Sequence, residues 1–355
     1  MSISLCMITK NEEELLEECL RSVHGLVDEI VVVDTGSTDK TISIAKKFKA
    51  NIVEHPWSND FSDARTVSIK HATSDWIFVL DADEIIIKKD HGAIKQLTEF
   101  TEFIGFSFIQ RNYTNNQNIL NFTSMLDDPY RTAIPIFTGY YPLRVVRFFR
   151  RSKSVHYEGL INESVEASIQ KNGGGILNTN IVIHHLQELK DEKATQERHV
   201  EFLKIFEKIE AQDKNDIQNL HNIALTHLNF TRNYVQAKTY FNKILSINND
   251  VLEPYFGLAL VYEKEGKLHD AIESINMAVK RNINNTINKR ALVTLKFIML
   301  HTLCNLYLNV GTTDKAISIY RLLAKIDRDN KELYKSKIQE LITMQQNVTY
   351  SFSIE

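Results

Sequence analysis

The sequence predicts an α/β domain built on a mostly parallel, Rossmann-like sheet, followed by an all-α solenoid. Two observations carry the first half. Short runs of β-branched and aromatic residues alternate with amphipathic stretches as far as about residue 190, the pattern of a parallel sheet covered by helices on both faces. Two of those runs stop on acids, Asp34 and the step Asp81-Ala82-Asp83-Glu84. A third observation carries the second half: beyond His185 the strand-like runs cease and a helical repeat takes over.

The elements follow in order. Ile3-Ser4-Leu5-Cys6-Met7-Ile8 reads as a first strand, closed by Thr9-Lys10-Asn11 before an acidic helix start. Leu15, Leu16, Cys19, Leu20 and Val23 then recur at helical spacing, a stripe for packing on a sheet. Ile30-Val31-Val32-Val33 is a second, buried strand ending on Asp34, after which Gly36 can take positive φ and Ser37 or Thr38 can cap a helix carrying Ile42, Ile44, Ala45 and Phe48. Asn51-Ile52-Val53-Glu54 reads as a third strand and residues 63–71 as a third helix. The fourth strand, Trp76-Ile77-Phe78-Val79-Leu80, is apolar throughout and so buried on both faces.

Ligands of open α/β sheets bind outside the carboxyl ends of the strands, so Asp34, Asp81 and Asp83 line a cleft. An acid-x-acid step there suits a hard divalent cation, which takes one or two carboxylates and fills its shell with water and substrate phosphates. The same step also suits a solvated helix start. No Gly-rich phosphate loop is present, which points to a nucleotide held through its cation.

Further on, residues 104–109 read as a strand, and residues 112–142 as a long polar and aromatic loop. Arg144, Arg147, Arg150 and Arg151 lie in an alternating stretch, and Ile181-Val182-Ile183-His184-His185 is a strand ending in two histidines. Residues 186–212 suggest one charged helix. Ala237 and Ala271 then stand 34 residues apart. Gly311 and Ala316 repeat Gly266 and Ala271 with a helical turn or two inserted near Asn284 to Arg290.

Length and composition set bounds. A chain of 355 residues suggests about two domains. The expected division is 1–190 for the sheet domain, 191–216 for a connecting helix, 217–347 for the repeats and 348–355 for a tail. A net charge of −3 argues against a nucleic-acid binder. Three cysteines without metal spacing, no leader and no membrane-length apolar run are expected of a cytoplasmic protein without a membrane span.

Four segments together resemble glycosyltransferase family 2, whose fold is GT-A: Ser4 to Glu12, Val33 to Thr41, Trp57 to Arg65, and Asp81-Ala82-Asp83. The resemblance implies a metal-dependent, inverting transfer of a hexose from a nucleotide-diphosphate sugar, UDP-glucose or similar, with Mg²⁺ or Mn²⁺. It places Thr9, Asn11, Glu12, Asp34, Asp60, Arg65 and Asp81 around the donor, with Asp34 by base and ribose and Asp81 close to the ribose. Asp83 would bind the metal, and His184 would complete its site or remain a core group. Arg65 either approaches the nucleotide or fixes the loop by an ion pair, and the arginines from Arg144 to Arg151 pair either with diphosphate or with core acids. Around Val155 to Ser164 the family carries Gly-x-Val-His-Glu; Glu163 stands for its acid and is the expected base, Glu158 is the alternative, and Asn162 replaces the histidine.

The carboxyl-terminal half resembles tetratricopeptide repeats, whose units bury their apolar stripes against neighbours and offer a concave face. Such a face implies a peptide or protein partner, or a homodimer. Domain order and the Trp57 to Arg65 motif resemble bacterial transferases that glycosylate peptide bacteriocins, so a Cys or Ser/Thr side chain is the expected acceptor. The rivals are a transferase of polysaccharide or lipid-linked glycan, and a repeat scaffold carrying an inactive transferase domain.

Overall fold

The computed structural model describes residues 1–116, 122–190, 192–281, 283–287, 292–327 and 330–352. The chain divides into two compact units, Met1–Arg198 and His199–Glu355.

In the first unit the strands are β1 (Ile3–Thr9), β2 (Glu29–Asp34), β3 (Asn51–Glu54), β4 (Trp76–Val79), β5 (Glu84–Ile85), β6 (Phe103–Thr114), β7 (Thr123–Ser124), β8 (Gly139–Arg150) and β9 (Gly175–His185). Among the described residues they form one sheet in the order β3-β2-β1-β4-β8-β6-β9-β5, with β7 on β8. The first four strands run parallel, as their buried apolar runs require. Strand alternation sorts the core. Ile3, Leu5 and Met7 of β1 and Trp76 and Phe78 of β4 face the helices α1 (Leu16–Ser22) and α2 (Thr41–Lys47), where Leu16, Leu20 and Ile44 meet them. Cys6, Ile77 and Val79 face the other way, towards Ile69 of α3 (Phe61–His71).

The second half of the sheet is mixed, and it positions the site. β8 returns antiparallel on β4, with Phe78 opposite Phe148, and Phe148 stacks on Trp76 at 5.0 Å. β6 lies between β8 and β9, antiparallel to the first and parallel to the second. The short β5 then pairs antiparallel with the end of β9, setting Glu84 opposite His185. The polar stretch expected as a loop over 112–142 is bounded by these strands: its first residues end β6 and its last begin β8. Between them Met125, Ile134 and Phe137 pack on Tyr113, Tyr140 and Leu186, and both Asp128 oxygens accept from Arg111 Nη1 at 2.8 Å. Residues 117–121 of that stretch lie outside the described residues. The helices α4 (His91–Leu97) and α5 (Glu166–Lys171) complete the covering layers.

The division between the units falls inside α6 (Glu192–Gln212). The helices α7 (Ile217–Asn229), α8 (Tyr234–Ile247), α9 (Glu253–Lys264), α10 (Leu268–Lys280), α11 (Leu292–Asn309), α12 (Thr313–Ile326) and α13 (Lys331–Phe352) follow, each packed on the next, as a solenoid requires. The turn before each second helix repeats: a residue at positive φ, then the N-cap. Gly266 (φ 75°) precedes Lys267, Gly311 (φ 74°) precedes Thr312, and Arg232 (φ 53°) precedes Asn233. The expected insertion near Asn284 to Arg290 overlaps residues 288–291, which are outside the described residues, and α13 continues to Phe352, into the segment expected as tail.

Gly257 lies where α9 crosses the fully buried ring of Phe241 on α8; a Cβ there would stand 2.2 Å from the ring. Helix propensity alone predicts that Gly257→Ala stabilises by ~1 kcal/mol. Overpacking is expected to win, for a net loss of ~1–3 kcal/mol that Phe241→Leu in the same chain largely restores. Urea unfolding of the single and double variants checks this; a more stable Gly257→Ala would contradict the close approach.

Candidate active site

The site lies at the carboxyl ends of β1, β2 and β4. Thr9 and Asp34 are paired neighbours at the ends of β1 and β2, and both are buried. Asp34 Oδ2 accepts from the backbone N–H of Gly36 and Ser37 at 3.1 and 2.9 Å, which folds the following turn back on the strand end. Asp34 Oδ1 and Thr9 Oγ1 are buried without a partner. Two adjacent unsatisfied oxygens are costly unless a ligand or water supplies donors.

The turn after β2 is stitched to the turn after β1. Asn11, at φ 55°, accepts from Thr38 N–H through Oδ1 at 2.8 Å, and Glu12 N–H donates to Thr41 Oγ1 at 2.8 Å. Asp60 caps α3, its Oδ1 accepting from Asp63 N–H at 3.1 Å. That capping is a structural duty that the sequence reading did not distinguish from donor contact.

The acids after β4 meet internal cations. Asp81 binds Arg65 through Oδ1 and Arg147 Nη2 through Oδ2 at 2.8 Å, and Arg147 reaches Glu84 Oε1 at 3.2 Å. Burial pushes the Asp81 carboxyl up, but the guanidiniums of Arg147 and Arg65 outweigh it and hold the group far below the usual carboxylate range. Glu84, fully buried, is pushed up by that burial despite Arg147. Of the four clustered arginines only Arg147 enters the site. Arg144 donates to Thr179 O, Arg151 to Ser74 O, and Arg150 lies over the Trp76 ring.

Arg65 also joins Glu163, its Nε donating to Oε1 at 2.9 Å. Glu163 rides on a small loop closed by reciprocal Glu158 and Ser164 backbone hydrogen bonds of 3.0 Å, and Leu160 O accepts from Phe61 N–H at the start of α3. The loop turns at Gly159 (φ 103°) and Asn162 (φ 53°), a conformation that asparagine tolerates better than most side chains. Glu158 points elsewhere, to Lys171 Nζ at 2.9 Å, and is more than a third exposed.

Asp83 is almost wholly buried. Its Oδ2 meets Lys190 Nζ at 2.9 Å and His185 Nε2 at 3.3 Å. Burial raises its pKa, yet His185 and Lys190 together hold it well below the usual range. The histidine beside Asp83 is therefore His185 and not His184. Pairing of β5 with β9 sets His185 there, and strand alternation turns His184 away, into a fully buried cluster where its Nδ1 faces the Tyr113 hydroxyl at 2.7 Å and its ring meets Tyr130. Asn112 Oδ1 stands 2.6 Å from His185 Nδ1, and its Nδ2 donates to Tyr141 O at 3.3 Å, which fixes the amide. With Nδ1–H given to Asn112, Nε2 donates to the Asp83 carboxylate only in the protonated ring. Burial lowers the His185 pKa, but Asp83 outweighs it and raises it; loss of the Nε2 proton frees a lone pair for an ion while Asn112 keeps the ring in place.

Among the described residues no group of three His, Cys, Asp or Glu side chains could hold a metal alone. Asp83 and His185 nevertheless offer one oxygen and one nitrogen. Mg²⁺ and Mn²⁺ sites that share substrate phosphates need no more from the protein, so the pair fits such an ion.

Comparison with known proteins follows the same region. Residues 4–154 match the sequence model of glycosyl transferase family 2. A TPR repeat-containing protein of Synechococcus elongatus is 36% identical over 167 residues, covering 47% of this chain and 36% of that protein. The SPbeta prophage-derived glycosyltransferase SunS of Bacillus subtilis is 31% identical over 164 residues, 46% of this chain and 34% of its own. The chain thus spans about a third of the length of these relatives. S. aureus TarS 1-349, solved in complex with UDP-GlcNAc, aligns with 79% of this chain and 92% of its own at 15% identity, with a TM-score of 0.37, too distant to bear on the site. Among the described residues no helix is long and apolar enough to cross a membrane.

His184 carries a pH signature. Burial, with Arg111 and Lys89 nearby, pushes its pKa down to about 3. The unfolded chain therefore takes up a proton before the folded chain does. Its contribution is fully present above about pH 6.5 and falls by ~1.4 kcal/mol per pH unit towards pH 3. Denaturant unfolding between pH 6.5 and 4.5 should show that slope in wild type and a shallower one in His184→Gln; identical slopes would contradict the burial.

Proposed function

We propose that the chain, whose residues 4–154 match the sequence model of glycosyl transferase family 2, transfers a hexose, with inversion, from a nucleotide-diphosphate sugar to a peptide or protein acceptor. The observation that carries the donor half is the pair of unpartnered oxygens, Asp34 Oδ1 and Thr9 Oγ1, at adjacent strand ends. A pyrimidine N–H and the ribose hydroxyls are donors of the kind these oxygens lack, which favours UDP-sugars such as UDP-glucose. Asn11 and Glu12 join the turns that follow these two strand ends.

Asp83 and His185 would bind Mg²⁺ or Mn²⁺, which when present neutralises the departing diphosphate as a Lewis acid. His184 then serves the core and His185 takes the place expected of it. Asp81 would set the ribose end of the donor through its fixed ties to Arg65 and Arg147. Glu163 would take the acceptor's proton as the acceptor attacks the anomeric carbon from the face opposite the diphosphate. Arg65 grips one Glu163 oxygen and leaves the carboxylate capacity to accept from the acceptor. A cysteine thiol asks less of such a base than a serine hydroxyl, because its ordinary pKa is near 8.5.

The acceptor assignment rests on the Trp57 to Arg65 motif, the order of domains and the repeat unit, whose face would present the peptide. The likeness to SunS, a named glycosyltransferase, supports the transferase over the inactive scaffold. The buried free thiols Cys6, Cys19 and Cys304 suit a reducing cytoplasm.

Incubation with Mn²⁺ and a panel of UDP-sugars should give slow UDP release without acceptor, and mass spectrometry of a cysteine-containing peptide should show an added hexose. No release with any donor would favour the scaffold. Asp34→Ala should weaken UDP binding at least tenfold, and Asp83→Ala should abolish transfer and weaken UDP binding in metal. Glu163→Gln should slow transfer ~10²–10⁴-fold with UDP affinity kept. Equal loss of affinity in Asp83→Ala and Glu163→Gln would contradict the separate roles.

A further inference from the structure

Neither the motifs nor the family resemblance accounts for Lys190 in this site. β9 ends at His185, and the next residue is tied down at once, Leu186 N–H donating to Asp83 O at 2.8 Å. A tight turn over Gln187–Leu189 then closes, with Lys190 N–H donating to Gln187 O at 3.1 Å. The lysine is thereby brought back over the acids. Its ammonium bridges Glu12 Oε1 at 2.7 Å and Asp83 Oδ2 at 2.9 Å, with only 12% of its side chain exposed.

A buried carboxylate such as Asp83 requires a cation, and here the protein supplies its own. The ammonium lies on the same oxygen that faces His185 Nε2, so it sits on the atom a divalent ion would take. The two cations would repel at contact distance in a poorly screened place. Lysine is fitted to yield: it is a point charge on a flexible stem, without the paired grip of a guanidinium. Glu12, farther out and 19% exposed in its side chain, remains to receive it.

We propose that Lys190 is a displaceable resident cation: it holds Asp83 and Glu12 together in the metal-free protein and surrenders Asp83 to the divalent ion while keeping Glu12, so that the ion replaces one cation on Asp83 by another. The proposal rests on the donor-site reading above. It makes the metal affinity of this chain a property of residue 190 as well as of the ligands, and it ties the segment that follows β9 to the state of the donor site.

The test is Mn²⁺ alone, titrated against full-length chain and followed by the electron paramagnetic resonance signal of free Mn²⁺. Lys190→Met keeps the apolar stem and removes the competitor, and is expected to bind Mn²⁺ about tenfold or more tightly than wild type. Lys190→Arg keeps the charge with a firmer grip and is expected to bind Mn²⁺ several-fold more weakly. Equal affinity across wild type and both variants, or no Mn²⁺ bound by Lys190→Met, overturns the proposal. If Lys190→Met fails to fold, the Arg variant decides: unchanged affinity there overturns it. Asp83→Ala separates the two levels, because Mn²⁺ binding that survives it at wild-type affinity sinks the donor-site reading itself, whereas binding lost there but indifferent to residue 190 sinks only the exchange.

Discussion

Carboxylates buried together at the end of a strand are tolerable only if each finds a cation or a donor, and that requirement organises the first unit. Asp81, Asp83 and Glu84 are crowded within four residues, and Glu163 joins them from a distant loop. Coulomb repulsion in a poorly solvated place would open the site. Arg147 on β8, Arg65 on α3 and Lys190 after β9 prevent it, each delivered by a different element. The mixed half of the sheet is thus more than a covering layer: β8 and β9 carry the charges that allow the acids of the parallel half to exist as they do.

This division explains what could be read in advance. The parallel strands and their helices were legible because continuous apolar runs with acids at their ends say both strand and edge. The helical repeats were legible through Gly266 and Gly311, where the turn needs positive φ; Arg232, which takes the same conformation in the preceding repeat, carries no such mark. The histidine was not legible. Two adjacent histidines on a strand point to opposite faces, and which of them faces Asp83 depends on the register of the two-residue β5, set by a partner about a hundred residues away. Lys190 was invisible for a like reason, since only a tight turn after β9 brings it back.

The pairing of Arg65 with Glu163 spans 98 residues of sequence and joins the two halves of the proposed chemistry. One guanidinium holds both the Asp81 carboxylate, on the proposed donor side, and the Glu163 carboxylate, on the proposed acceptor side. Of the two duties expected of Arg65, nucleotide contact and a loop-fixing ion pair, the ion pair is formed, with two acids rather than one. Asn162, which stands where the family carries a histidine, takes a left-handed conformation (φ 53°) immediately before Glu163.

The two sides differ in how much they leave unsatisfied. On the proposed nucleotide side Asp34 Oδ1 and Thr9 Oγ1 are buried and bare, while Asp81 is saturated by guanidiniums. Bare acceptors on a rigid strand end reward a ligand that brings donors, and saturated ones do not. Recognition of base and ribose should accordingly draw on Asp34 and Thr9. In the proposed reaction Asp81 would contribute by fixing geometry, and removing it would leave Arg65 with Glu163 alone and Arg147 with Glu84 alone. An alanine at Asp81 would therefore disturb the acceptor side as well as the donor side, through Arg65, so loss of activity there is no evidence that Asp81 touches the sugar nucleotide. Asp83 is the opposite case: no guanidinium grips it, its partners being a flexible lysine and His185, and of the acids after β4 it is the one whose lysine is proposed to exchange.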